Sequence, residues 1–322
     1  MTQISTVTGP TDSSQLGRVL IHEHVFIAHE EYQQNYRADW VEEVKIAKAV
    51  RELQDLKASG IDTILDPTVL GLGRFIHRVR QVAEQVDLRI VPATGLYTYR
   101  DLPNPFLFYG PGLPFSTETD PLVDIFVKDL TVGIADTDIK AAFLKCAIAM
   151  WGLTEGVERA MRAVGRASVA TGAPVTVHTD PELRTGLVAQ RVLREEGVDL
   201  RRVIIGHSGD STDLDYLMEI ADAGSILGMD RFGNEGAVTF DQRIDTIVRL
   251  VERGYSDRIG LSHDNFSYCD FYPEGEPGNK YSPEISFLLV SRQVVPALLE
   301  RGVTQSQIDQ MLIENPRRYF EI

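Results

Sequence analysis

The chain has 322 residues, 43% of them hydrophobic, and a formal net charge of −15, so it can bury a large core while repelling phosphate backbones and anionic bilayers. Neither nucleic acid nor a membrane surface is expected as a partner. Two cysteines, Cys146 and Cys269, are too few for a disulfide framework, the start MTQISTVTGPTDSS has no signal-peptide pattern, and no apolar stretch reaches spanning length, so a cytoplasmic protein is expected.

No low-complexity segment or Ser/Pro-rich linker interrupts the chain, which predicts one domain over residues 1–322. Short β-type runs fall at 18–24, 61–66, 88–94, 140–146, 174–179, 202–207, 225–230 and 258–264. Between them lie helical patterns. In 41–59, Ile46, Val50, Leu53 and Leu56 recur at helical spacing; in 155–170, Val157, Met161 and Val164 do so behind a capping Thr154; 211–223 and 239–254 repeat the pattern. Gly60, Gly172, Gly197 and Gly224 stand where left-handed helix caps are expected. Eight strand–helix repeats, with no GxGxxG fingerprint at any strand-to-helix turn, predict an α/β fold of the single-domain (β/α)8 TIM-barrel type rather than an open doubly wound sheet. The loops at 97–121 and 265–284 are long and aromatic, and are expected to shape the pocket.

A barrel carries its chemistry at the C-terminal ends of its strands. His22 and His24 close the first run and share one face by alternation, inward if Val19 and Ile21 face the helices. Lys145 closes the fourth run, His178 the fifth, His207 the sixth and Asp264 the eighth; alternation through Gly260 and Ser262 aims Asp264 inward. HxH alone is a weak signal. Four histidines with a lysine and an aspartate at one rim predict a site for two divalent metals, which the donor types allow to be zinc, cobalt, manganese or iron. His29, His77 and His263 are read as surface or helix-packing residues.

Lys145 near the barrel interior has two readings. It forms a buried ion pair, with Asp264 for example. Alternatively, burial and nearby cations make it neutral, and the amine takes up carbon dioxide as a carbamate that bridges two metals. In the second reading the metals activate a water, and Asp264 ligates and relays the proton. Tyr97 and Arg231, just past the third and seventh runs, orient the nucleophile or stabilise the oxyanion; a rim contact and a surface ion pair are their structural alternatives.

HEH at 22–24, Lys145, TVHT at 176–179, IGHSGD at 205–210, GMDRFG at 228–233 and SHD at 262–264 follow in an order that resembles the phosphotriesterase-like lactonases of the amidohydrolase superfamily. TGLYTY at 94–99 and ENPRRYF at 314–320 extend the resemblance over the whole chain. HEHVF followed by YQQNYRADW looks especially like the quorum-quenching N-acyl-homoserine lactonases. The resemblance implies a carboxylated Lys145 bridging two metals. It places His22, His24 and Asp264 on the buried metal, His178 and His207 on the exposed one, and Tyr97 and Arg231 near the water and substrate. It also implies a homodimer, for which the aromatic run Tyr99, Phe106, Phe108 and Tyr109 offers a face; ordinary loop packing is the alternative. The chain departs from the family at Ala149, Met150, Trp151 and Gly152, where an acidic stretch ending in Glu-Pro-Gly is common, and at Asp180.

The metal site serves esters and phosphotriesters alike, so the pocket decides the substrate. Phe266, Tyr268, Cys269, Phe271 and Tyr272, helped by Met150 and Trp151, form a lining suited to an acyl chain. The expected activity is hydrolysis of an N-acyl-homoserine lactone, with weak phosphotriesterase activity. An organophosphate triesterase, a hydrolase of another lactone and a non-catalytic small-molecule binder are the alternatives.

Overall fold

The computed structural model describes residues 2–36, 40–234, 236, 238–271 and 286–321. A two-stranded antiparallel hairpin, β1 (Gln3–Thr6) and β2 (Gly9–Asp12), precedes the barrel. Only Ile4 and Thr6 of β1 are buried, too short an alternation to stand out in a polar leader. The first barrel run is split into β3 (Val19–Leu20) and β4 (Glu23–Ile27), followed by α1 (Glu30–Tyr36) and α2 (Glu42–Ala58). The repeats continue as β5 (Thr63–Asp66), α3 (Ile76–Ala83), β6 (Arg89–Gly95), α4 (Asn104–Phe108), α5 (Pro121–Thr131), β7 (Phe143–Ala147) and α6 (Glu155–Thr171). Then come β8 (Val175–His178), α7 (Thr185–Glu195), β9 (Val203–Gly206), α8 (Leu214–Asp222), β10 (Ile226–Met229), α9 (Phe240–Glu252) and β11 (Ile259–Leu261). A further strand, β12 (Asn265–Cys269), and helices α10 (Val295–Glu300), α11 (Gln305–Asp309) and α12 (Asn315–Glu321) complete the described chain.

The eight-stranded parallel sheet runs β3-β5-β6-β7-β8-β9-β10-β11. It closes where β11 meets the first strand: Ile21 N–H donates to Leu261 O at 3.3 Å and Asp264 N–H to His22 O at 3.1 Å. Beyond this seam β12 pairs in parallel with β4, from Asn265 opposite Glu23 to Cys269 opposite Ile27. The expected loop from residue 265 therefore begins as a strand. The helices form for the reasons legible in their sequences. In α6, Val157, Met161 and Val164 are buried, Thr154 Oγ accepts from Val157 N–H, and Gly172 closes the helix at φ 75°; such caps each contribute about 1 kcal/mol. Among the described residues no helix is long and apolar enough to cross a membrane.

Alternation divides the strands between two packed layers. Val19, Ile21, Leu65, Val91, Ala93, Phe143, Ile204 and Ile226 fill the barrel together with Tyr319 and Phe320, and Tyr319 OH lies 3.0 Å from Thr176 Oγ. Leu20, Ile64, Ile90, Leu144, Val175, Val177, Val203, Ile205, Leu227 and Leu261 pack against the helices. This corrects the expected facing of the first run: Val19 and Ile21 point into the barrel. His22 and His24 reach the mouth because the chain bends at Ile21–His22, between β3 and β4, and resets the alternation.

Candidate metal centre

Strand alternation delivers three of the site residues. Phe143 faces inward on β7 and so does Lys145, which is 1% exposed. Thr176 and His178 follow the same rule on β8, and Ile226 and Gly228 on β10, with Asp230 continuing the alternation just past its end. Gly95 makes the fit possible, since a Cβ there would lie 1.9 Å from Lys145 O. Gly228 likewise leaves room for Asp230, whose Oδ2 would be 2.8 Å from an added Cβ.

His207 and Asp264 arrive by another route, against the expectation from alternation. β9 ends at Gly206 and β11 at Leu261, and both residues adopt left-handed backbone, with φ 64° and 56°. Such conformations cost non-glycine residues about 1–2 kcal/mol. Hydrogen bonds from His207 N–H to Asp230 Oδ1 (2.8 Å) and from Asp264 N–H to His22 O (3.1 Å) hold them in place.

The donor atoms converge. His22 Nε2 and His24 Nε2 each lie 3.4 Å from Asp264 Oδ1, and Lys145 Nζ is 3.3 Å from His22 Nε2. His178 Nδ1 and His207 Nε2 face each other at 2.7 Å. The remote nitrogens of three rings are tied behind the site: His22 Nδ1 to Asp230 Oδ2 (2.8 Å), His207 Nδ1 to Asp230 Oδ1 (3.0 Å) and His24 Nδ1 to Thr68 Oγ (2.7 Å). Anchoring one nitrogen while the other faces a common space is the arrangement of metal-ligating imidazoles. The donor set therefore fits divalent metals, with His22, His24 and Asp264 forming one close group.

The electrostatics agree with that reading. Burial, then Lys145, pushes His22 down to about 3, and burial with His207 lowers His178 as well, so these rings are neutral at neutral pH. Burial would raise the Asp230 carboxyl, but the imidazoles of His207 and His22 outweigh it and hold it well below the usual carboxylate range. Asp264 is similar: burial is overcome by His22, His24, His207 and Arg231. Lys145 is brought down to about 8 by burial, with Asp264 and Asp230 opposing. Its polar contact is with the His22 ring.

Asp230 and Asp210 carry functions the spacing does not announce. Asp230 stands within the noted GMDRFG run, one residue past β10, and the alternation that reaches it through Ile226 and Gly228 is the signal that points to it. Asp210, in IGHSGD, accepts from Arg231 Nη1 at 2.8 Å and lies 2.7 Å from buried Arg243 Nη2. Arg231 Nε in turn donates to Asp264 Oδ2 at 3.1 Å.

A cleft of about 490 Å³, counted to its open mouth, lies over these groups. Its lining includes His22, His24, Lys145, His178 and Asp264, with polar Tyr97, Tyr99 and Arg231 and apolar Ile27, Leu72, Phe266, Cys269 and Phe271. Tyr97 OH is 3.4 Å from His178 Nδ1 and bonds to the Tyr99 hydroxyl. Burial, reinforced by Tyr99, raises its pKa well above the ordinary phenol value, so it stays protonated.

The expected lining of the pocket is corrected at Tyr268, Met150 and Trp151. Tyr268 turns outward, its ring 4.7 Å from Trp40 and its hydroxyl accepting from Gln33 at 2.9 Å. Met150 and Trp151 are exposed outside the cleft, with Arg100 over the Trp151 ring. The Asp180 carboxylate accepts from Leu183 N–H in the turn before α7, away from the donor cluster. His263 is fully buried, between Glu23 and Val290 N–H. Tyr272 lies outside the described residues. In the aromatic run, Phe106 packs on the core while Phe108 and Tyr109 remain about half exposed.

Comparison with known proteins agrees with this geometry. The phosphotriesterase family model matches residues 2–320. A phosphotriesterase homology protein of Mycobacterium tuberculosis is 50% identical, over 100% of this chain and 98% of its own. An aryldialkylphosphatase of Saccharolobus solfataricus is 37% identical over 96% of each chain. The solved structure of the phosphotriesterase from Mycobacterium tuberculosis superposes with a TM-score of 0.96 at 49% identity, covering 99% of this chain and 98% of that one. The converging donors, the closed parallel barrel and these full-length similarities together establish that the chain belongs to the phosphotriesterase family of hydrolases.

Proposed function

We propose that the protein opens the ring ester of N-acyl-homoserine lactones, with slower action on phosphotriesters. His22, His24, Lys145, His178, His207 and Asp264 would hold two divalent metals, and Lys145 would carry a carbamate. The carbamate forms when the neutral amine nitrogen bonds to the carbon of carbon dioxide and releases a proton. The environment of Lys145 supports it: burial favours the neutral amine, and the anion adds the negative charge that a set of neutral imidazoles lacks. When bound, the metals supply Lewis acidity, polarising a carbonyl or phosphoryl oxygen and acidifying water.

The chain's own groups supply the rest. Asp264 Oδ1, between His22 and His24, is placed to take the proton of the attacking water and return it to the alkoxide released as the ring C–O bond breaks. Arg231 holds the other oxygen of that carboxylate. The protonated Tyr97 hydroxyl beside His178 is placed to donate to the oxygen that gains negative charge.

The observation that carries the lactone reading is the mixed lining of the cleft. Polar Tyr97, Tyr99 and Arg231 line it together with an apolar set of Ile27, Leu72, Phe266, Cys269 and Phe271. Each methylene buried on such a wall contributes about 0.8 kcal/mol, so an acyl tail gains what a small polar substrate does not. The 37% identity to a protein named aryldialkylphosphatase supports the secondary phosphotriester activity. The test is metal quantification on the purified protein alongside a panel of N-acyl-homoserine lactones and aryl dialkyl phosphates. Two metals per chain, and kcat/KM that rises with acyl length and exceeds that for the triesters, are expected. Faster triester turnover, with no response to acyl length, overturns the lactone assignment.

A further inference from the structure

The apolar wall is assembled from separate loops, and they meet at His29. This residue follows β4, and its ring lies between two acceptors: Nδ1 is 3.1 Å from Asp270 Oδ1, and Nε2 is 3.1 Å from Gly71 O. A neutral imidazole has a single N–H, so only the imidazolium donates to both. The His29 backbone N–H also donates to Asp270 Oδ2 at 2.6 Å, and the ring stacks on Phe271, with centroids 5.5 Å apart and planes 30° from parallel. Both acceptors adjoin residues of the wall. Gly71 precedes Leu72, and Asp270 lies between Cys269 and Phe271; all three of these neighbours line the cleft.

We propose that His29, as an imidazolium, is a positioning residue that pins the loop after β5 to the segment after β12 and so fixes the apolar wall against which the substrate's tail rests. The tail's identity rests on the lactone reading; the clamp itself does not. Asp270 is the carboxylate that meets the ring among the described residues, and Gln33 Nε2 donates to its Oδ2 at 3.2 Å. Glu30, next in sequence to His29, is engaged by Arg78. Arg74 is turned to Ala93 O and Asp129. The Cys269 thiol, pushed up to about 12 by burial, is neutral. The hydrogen bond to Asp270 raises His29 above the ordinary histidine value, with burial opposing. The clamp is therefore closed below that raised value and opens as pH rises through it.

Two measurements on the full-length, metal-loaded protein test this. In the first, Phe271→Trp serves as a fluorescent reporter during a pH titration. A transition with a midpoint above the ordinary 6.5 is expected; it should move down when Asp270→Asn removes the charge and vanish with His29→Phe. A transition unmoved by both changes overturns the clamp. In the second, His29→Phe keeps a stacking ring but removes both donors. KM for N-decanoyl-homoserine lactone should rise about fivefold, the scale of one lost hydrogen bond, while kcat and the KM for N-butanoyl-homoserine lactone stay put. Equal changes for both chain lengths, or none, overturn the positioning role. If neither lactone is turned over, the substrate assignment fails and the fluorescence titration alone decides the clamp.

Discussion

The Asp230 carboxylate lies 2.8 Å from His22 Nδ1, wholly inside the barrel and out of reach of the cleft. Its other oxygen serves His207, so one carboxylate fixes the tautomer of a ring in each half of the donor set. Both rings then present Nε2 as a lone pair. In Asp230→Asn one oxygen becomes an NH2 donor, and the ring facing it must move its proton to Nε2, where it blocks ligation. Metal affinity, measured by competition with a chelator, should fall about 10–100-fold. Unchanged affinity would remove Asp230 from the metal-positioning machinery.

Lys145 is buried among the donors with its Nζ against the His22 ring. Lys145→Ala should abolish turnover and lower the metal content of the purified protein, because the anion expected on that nitrogen is gone. Short carboxylic acids added to the variant can occupy the space and should restore part of both. Wild-type turnover in Lys145→Ala sinks the carbamate.

Away from the site, Asp62 ties the start of the first strand to the second. Its carboxylate accepts from Arg18 N–H at 3.0 Å and Lys57 Nζ at 2.8 Å. Burial raises this carboxyl, but those bonds win and its value is lowered from 3.8. An acid lowered by folding adds stability above its unfolded value, and that stability is lost as pH falls through the folded one. Asp62→Asn should therefore cost roughly 1 kcal/mol at neutral pH, discounted for its partial exposure. The gap in thermal midpoint from wild type should close below about pH 3.8. A pH-independent gap would assign the effect to shape rather than charge.

The barrel was legible because eight apolar runs separated by capped amphipathic stretches leave few alternatives. Lys145 and His178 were legible because alternation along an unbroken parallel strand is a rigid rule. It gave the wrong facing for Val19 and Ile21, since no periodicity announces the bend at Ile21–His22. His207 and Asp264 were found as residue types at strand ends, but their inward aim comes from left-handed backbone, which histidine and aspartate do not advertise as glycine does. Asp230 obeys the alternation, but an aspartate among histidines is conspicuous only once the rings it holds are placed. Tyr268 departs from the expected lining because residues 265–269 form a strand on β4, so some of its aromatics turn toward the helices rather than the mouth.

That strand depends on Glu23, the residue between the two histidines of the first run. Its Oε1 accepts from Ser262 Oγ (2.7 Å), His263 N–H (2.8 Å) and His263 Nδ1 (2.7 Å), and its Oε2 accepts from Asn265 N–H at 3.0 Å. His263 Nε2 accepts from Val290 N–H at 2.7 Å, which carries the chain of bonds out to the helical layer. Glu23 thus welds the barrel seam at the point where His22, His24 and Asp264 must stay in register. Glu23→Gln keeps the size but replaces an acceptor with a donor that meets an N–H, leaving buried groups opposed. A loss of about 3 kcal/mol in chelator-stripped protein is expected from denaturant unfolding. Metal affinity should fall too, because the seam carries three of the six ligands. Ser262→Ala removes one of the four bonds and also the acceptor of the buried His22 N–H at 2.9 Å, and should cost about 2 kcal/mol by the same measurement. If Glu23→Gln unfolds at the wild-type denaturant midpoint, the seam is held by the β4–β12 ladder alone and Glu23 has no part in setting the ligands.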